Sequence, residues 1–348
     1  MPELPELTFW ETIISECKGA PSTVTQDTEF ALRIHPTSFF YDSSKQRYNL
    51  TVDRTLLDSY ALDTHASQDD INLSSSSLKA SEEKDWAYLL LPAAPGKLFC
   101  RRRGKRLVMM AGQHALVIHF TMEGCVIGMP RTDYDEITNS HVKTRGNKND
   151  AWHRSFEIPR RLFEPNSSPT EFRTLNIYAA FVSKDWVWAL TDHQRLMHIR
   201  VVSRENVWTQ ADLSPDSPSW DGQLFKGLNS PYDWIHERAE VEKALDRWRD
   251  SCRRSCGGPR TWGSTIIKSL ADNNHRQSGS FGRHCINDTC YIGAVYPGTP
   301  ESFIATNRET YTRLKTAMGA FADLIAHDDY KKKCLHHIQL DEPFCFQP

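Results

Sequence analysis

The chain opens Met1-Pro-Glu-Leu-Pro-Glu6, which places an imino acid one residue from the start with two carboxylates close behind it. Removal of Met1, which the small Pro2 permits, would free a secondary amine of ordinary α-amino basicity. Such an amine titrates near ~8 rather than the ~10.4 of lysine. A useful fraction of it is neutral at physiological pH and can attack an electrophilic carbon to give an imine. A second concentration of chemistry is Arg101-Arg-Arg-Gly-Lys-Arg106, the densest basic run in the chain. Cations there would neutralise backbone phosphates without reading base sequence; a solvated hairpin or a localisation signal is the alternative. The nine cysteines fall singly or in loose pairs, Cys252/Cys256 and Cys285/Cys290, at spacings unlike a zinc ribbon, so buried or incidental thiols are expected and no metal.

Elements that could position these groups follow from periodicity. Leu7, Trp10, Ile13, Ile14 and Cys17 fall at helical spacing ahead of Gly19-Ala-Pro. Residues 29–35 are strand-like, and 63–84 turn to Ser, Asp and Asn, the composition of a disordered insertion. Short apolar runs at 106–110, 115–120, 125–129, 176–180, 186–190 and 199–202 read as strands, with a polar loop over 131–150. Strands at this spacing imply an antiparallel β-sandwich or barrel. Residues 211–219 have the composition of a domain linker. Beyond it the pattern is helical over 232–249, 265–271, 286–295 and 307–327, the last with Leu314, Met318, Phe321, Leu324 and Ile325 on one face.

Three segments together resemble the formamidopyrimidine/endonuclease VIII family of DNA repair glycosylases. The opening Met1–Glu6 is similar to the family's N-terminal signature. Gly104-Lys105-Arg106-Leu107 ahead of Ile118-His-Phe-Thr-Met-Glu-Gly124 resembles its lysine loop and His-x-Gly-Met-x-Gly strand end, and Thr191-Asp-His-Gln-Arg-Leu-Met197 its Thr-Asp-Pro-Arg-Arg-Phe-Gly loop. Gly279-Ser-Phe-Gly-Arg-His284 with the later Tyr296-Pro297 resembles its Gly-x-Gly-Asn and His-Pro landmarks, most closely in the plant and fungal branch with a zincless finger. The implied fold is α+β: an N-terminal antiparallel β-sandwich flanked by an N-terminal helix (1–205), a linker (206–222), then an all-helical helix–two-turn–helix domain (223–348) in which no finger is recognisable.

The resemblance also implies roles. Pro2 would attack the sugar carbon bearing a damaged base, and Glu3 would protonate the sugar ring oxygen as the ring opens. Glu6 would help hold the site together, or be an ordinary helix-start carboxylate. Lys105 would reach the phosphate and sugar beside the lesion. Because the target base must leave the stack, Met122 and the Arg195-Leu196 pair would fill the gap; read without the family, Met122 and Leu196 are core residues. His119 would contact phosphate or be a satisfied strand-end histidine. Arg283 stands where the family has its phosphate-binding Asn, and its guanidinium could bind phosphate too.

The expected activity is that of a bifunctional DNA glycosylase and lyase of base excision repair, removing oxidised bases and cleaving the strand by elimination. Damaged double-stranded DNA would be its partner and no cofactor is needed. The alternatives are a catalytically weakened paralogue that binds damaged or single-stranded DNA, and a protein scaffold. A net charge of −2 supplies no global field toward nucleic acid, so DNA contact must come from local patches. No apolar run approaches the ~20 residues of a membrane span. A monomer in the nucleus is expected, the location following from the substrate and the basic run.

Overall fold

The computed structural model describes residues 3–35, 41–42, 47–57, 87–90, 93–120, 123–143, 154–163, 173–194, 196–255, 264–271, 278–279 and 281–336. Pro2, Met122, Arg195 and the insertion over 63–84 lie outside them. The first helix, α1 (Leu4–Ser15), has Pro5 in its first turn, where a missing N–H costs nothing. Its apolar residues divide between two cores. Leu7, Trp10, Ile13 and Ile14 pack into the β-rich half. Leu4, fully buried, belongs to the helical half.

The β-rich half consists mainly of two five-stranded sheets. Its strands are β1 (Glu29–Ile34), β2 (Leu50–Leu56), β3 (Gly96–Lys97), β4 (Phe99–Arg103), β5 (Arg106–Ala111), β6 (His114–His119), β7 (Gly124–Pro130), β8 (Ile177–Val182), β9 (Trp186–Asp192) and β10 (His198–Arg204). Sheet A runs β3-β1-β8-β9-β7 and sheet B runs β2-β10-β6-β5-β4. All pairings are antiparallel except β2 with β10. Leu107, Met109, Leu116, Ile118 and Val201 of sheet B meet Phe30, Leu32, Phe181 and Trp188 of sheet A in the core between them.

Each sheet is covered on its outer face as well, which is why β8 and β9 are buried at every position rather than at alternate ones. Over sheet A lies α2 (Arg131–Asn139), with Tyr134 and Ile137 buried against Ile127, Val187 and Ala189. The loop expected over 131–150 therefore begins as a helix. Two apolar residues three apart are enough to anchor it, too few to stand out in so polar a run. Over sheet B lies the segment expected as a linker. Trp208, Leu213, Trp220, Leu224 and Phe225 bury themselves against Val108, Met110, Val117 and Val202.

The helical half comprises α3 (Arg238–Ser255), α4 (Ile266–Ala271), α5 (Arg283–Ile292), α6 (Glu301–Thr306), α7 (Arg308–Ala326) and α8 (Asp328–His336). Val241, Leu245, Ile266, Ile286, Leu314 and Met318 form its core with Leu4. Among the described residues no helix is long and apolar enough to cross a membrane.

The two halves are joined by the arginines of β4. Arg102, without solvent exposure, pairs with Asp233 and with Glu11 of α1 (3.2 Å). Arg103 grips Glu237 in a two-pronged contact (3.0 and 2.8 Å) and lies over the rings of Phe225 and Trp220. Asp233 also accepts the backbone N–H groups of Ile235 and His236, so it fixes the turn that leads into α3. The basic run thus loses two of its five cations to the interior. Removing one member of a buried pair strands the other, a loss of roughly 3–5 kcal/mol. Arg102→Met should accordingly lower unfolding stability by about that amount in urea titration, and a surface change such as Lys97→Gln should not.

Candidate active site at the junction of the two halves

Glu3 caps α1 and is 7 % exposed. Its own backbone N–H donates to the Glu6 carboxylate at 3.0 Å, so Glu6 fixes the main chain that carries Glu3. The Glu3 carboxylate reaches across to the other half of the molecule. It accepts the backbone N–H of His284 (3.2 Å) and of Cys285 (2.8 Å), and the Cys285 thiol donates to it as well. These amides belong to the first turn of α5, where helix N–H groups have no intrahelical partner and the dipole favours an anion.

Gly282 makes this contact possible. A Cβ at that position would fall 2.1 Å from Glu3 Oε1 and 2.3 Å from Cδ, so any side chain there would push the carboxylate off the helix end. Gly279, at φ +61°, turns the chain just before it, under the Trp234 ring. Cys285 is buried, and desolvation together with the Glu3 carboxylate pushes its thiol well above the ordinary range. It is a proton donor to Glu3 and a poor nucleophile.

Lys105 joins them from the hairpin between β4 and β5. Gly104, at φ +58°, makes the turn and sits against Pro231, where a Cβ would meet ring and carbonyl atoms at 2.7 and 2.8 Å. The lysine is 6 % exposed. Burial pushes its ammonium below the usual lysine range, and the Glu3 carboxylate opposes that shift. The structure therefore brings together Glu3, Glu6, Lys105 and the start of α5.

Of the remaining expected residues, His119, Leu196 and Arg283 are described. His119 ends β6, hydrogen-bonded to the Lys105 backbone, with a pKa pushed down to about 4 by burial and then by Arg106 and His198. It is neutral at physiological pH. The loop after β9 is organised by Asp192, 1 % exposed, which accepts backbone N–H groups from Gln194 (3.0 Å), Leu196 (2.8 Å) and Met197 (2.6 Å). Asn176 braces the same loop through the carbonyls of Asp192 and His193. Leu196 is turned outward, 43 % exposed, and is not a core residue. The Gln194 amide donates to Glu123 (2.9 Å), which draws this loop to the one that carries Met122. Arg283 is exposed on the first turn of α5. There a cation opposes the helix dipole, so a bound phosphate would relieve it.

Gly282, Cys285 and Asp192 complete the site and were not singled out for it from sequence. Gly282 carried a signal, since a glycine directly before a helical run marks a close approach. Cys285 carried none. Among the described residues no group of three or more His, Cys, Asp or Glu side chains is placed to hold a metal ion.

No family model matches the chain, and no curated protein does. Among solved structures it is similar to the formamidopyrimidine DNA glycosylase of Lactococcus lactis bound to DNA containing an AP site, with TM-score 0.47 and 10% identity over 96% of this chain and 86% of that one. It is also similar to the MutM (Fpg) protein of Thermus thermophilus, with TM-score 0.43 and 13% identity over 95% of this chain and 80% of that one. At such identity the chemistry rests on the residues described above.

Removing the Asp192 acceptor should loosen the loop that projects Leu196. Each buried N–H left without a partner costs about 1–3 kcal/mol. Asp192→Ala is expected to speed amide hydrogen exchange at 194, 196 and 197 by at least tenfold and to leave the strands of sheet A protected.

Proposed function

We propose that this chain is a DNA glycosylase with strand-cleaving lyase activity, acting on oxidised bases or abasic sites through an imine at Pro2. The observation that carries this reading is the position of Glu3. Its carboxylate is held on the α5 N-terminus one residue from the amine, with Lys105 close enough to influence it.

The chemistry follows from that arrangement. The neutral Pro2 nitrogen would attack the anomeric carbon of the damaged nucleotide, forming a C–N bond as the bond to the base breaks. The Glu3 carboxylate would take the proton from the Pro2 nitrogen and deliver it to the ring oxygen as the sugar opens, giving the imine, while the base leaves with the electron pair of its broken bond. A cationic imine acidifies the neighbouring sugar C–H, so elimination of the 3′ phosphate follows. Lys105 would hold the adjoining phosphate. Its low exposure makes the contact strong, because little water competes for it. Leu196 would wedge into the space left by the extruded base. The bound form is expected to be a monomer on damaged duplex, and a nuclear location follows from that substrate.

A second reading, a weakened paralogue that binds damaged DNA without cleaving it, is favoured by Arg283. Its long exposed side chain lies where a short Asn would be expected.

Borohydride reduction of the protein mixed with abasic duplex separates the two. A covalent adduct is expected with Pro2 free, and none with a sample retaining Met1. Binding without any adduct from the free-Pro2 protein would establish the weakened paralogue. A second expectation concerns the carboxylate's seat. Displacing a positioned group by about 1 Å costs on the order of 10²-fold in rate. Gly282→Ala should slow adduct formation by that order and leave the circular dichroism spectrum unchanged.

A further inference from the structure

Arg103 is buried but only partly satisfied, and protein does not fill the space beside it. Its Nε–H and one Nη2–H go to Glu237, and one Nη1–H goes to Asp221. A guanidinium carries five N–H donors. Among the described residues the other two make no hydrogen bond, in a side chain that is 4 % exposed. Buried donors of this kind normally find acceptors. Asp221 is by contrast 71 % exposed, and it meets Arg103 through one carboxylate oxygen only. Its second oxygen takes no hydrogen bond among the described residues.

Both groups line a cavity of about 380 Å³ together with Phe225, Leu228, Ser230 and Tyr232. That volume falls in the range of small-molecule sites. The Ser230 hydroxyl is buried and has no hydrogen-bond partner among the described residues. Phe225 and Tyr232 bring aromatic rings to the Arg103 guanidinium, with ring centres 4.7 and 5.5 Å from Cζ. Alternation along β4 puts Arg103 on the face opposite Arg102, which meets α1. None of Glu3, Glu6, Lys105 or Arg283 lines the cavity, so it is separate from the candidate active site. Glu237 already neutralises Arg103, and Asp221 adds a negative charge, so the space does not favour an anion. It offers instead an N–H donor beside a carboxylate acceptor.

We propose that this cavity binds a planar heterocyclic lactam, a purine or pyrimidine base with a ring N–H beside a carbonyl. Such an edge is the complement of the pair that the cavity presents. The carbonyl accepts from Arg103 Nη1, and the ring N–H donates to the free oxygen of Asp221. Both bonds involve a charged partner, which makes them stronger than neutral ones. The flat ring rests against Tyr232, whose side chain is partly exposed. Ser230 adds a hydroxyl that can donate or accept at the wall. The site stands on these residues alone; only the source of the ligand, a base released or extruded from DNA, rests on the glycosylase reading.

The test is calorimetric titration of the full chain with guanosine, beside 1-methylguanosine, in which a methyl group replaces the lactam N–H. Loss of a hydrogen bond to a charged group weakens binding about tenfold or more. Guanosine is expected to bind saturably, and 1-methylguanosine about tenfold more weakly or worse. Asp221→Ala, a change at an exposed side chain, should weaken guanosine by the same order and leave the circular dichroism spectrum unchanged. Asp221→Asn, which keeps an acceptor, should recover part of the loss. Equal affinity for the two nucleosides, no binding of guanosine by the parent, or undiminished binding by Asp221→Ala would each overturn the proposal. A thymidine trinucleotide beside thymidine separates the sources of the base. Tighter binding of the trinucleotide, lost in Asp221→Ala, assigns the site to a base still on its strand; binding no tighter than thymidine assigns it to the free base. These titrations contain no abasic DNA, so failure of borohydride trapping leaves the cavity's assignment standing, and failure here leaves the imine chemistry untouched.

Discussion

The carboxylate of Glu3 on the first turn of α5 is the contact around which the two halves are arranged. Two amides and a thiol converge on it from a helix nearly three hundred residues away in sequence. An anion at a helix N-terminus meets several aligned donors and a favourable dipole, and burial keeps water from competing. Neighbouring requirements follow from that single seat. Position 282 must lack a side chain, Glu6 must hold the backbone of Glu3, and Leu4 must enter the helical core rather than the sandwich.

The run Arg101–Arg106 shows how one stretch of like residues is divided by strand geometry. Successive side chains of β4 point to opposite faces. Arg102 therefore turns toward α1 and meets Glu11 and Asp233. Arg103 turns to the other face, under Phe225 and against Glu237. Lys105 leaves the strand in the hairpin and approaches Glu3. Arg106, back on a strand, faces outward beside His119. A basic run in sequence is thus two interior fasteners, one lysine beside Glu3, one outward cation at Arg106, and Arg101, which donates to the Leu213 carbonyl.

Much of the sandwich was legible in the sequence, because strands buried on both faces leave dense apolar runs such as residues 177–182 and 186–190. The strand carrying the arginines was not, since its buried members are charged and pair with Asp233 and Glu237 from far along the chain. Helix α2 was hidden for a related reason: Tyr134 and Ile137 alone carry its burial. For the site, Glu3 and Lys105 could be named from motif resemblance, and His119 and Leu196 from their loops. The role of Cys285 could not, because its donation to Glu3 exists only once the two halves meet. Pro2, Met122 and Arg195 lie outside the described residues, so their placement remains what the motifs alone imply.

The division of α1 between two cores has a consequence for biosynthesis. Its apolar face needs sheet B, which closes only with β10 at residue 204, and Leu4 needs the helices that follow residue 238. Contacts so distant in sequence form late, after the costly loop closures between them. Although it is made before either of its partners, α1 is therefore among the last elements to find its place. A nascent chain that has not yet reached α5 would have no seat for the Glu3 carboxylate. The seat of the Glu3 carboxylate, on this architecture, exists only once the chain through α5 has been made and folded.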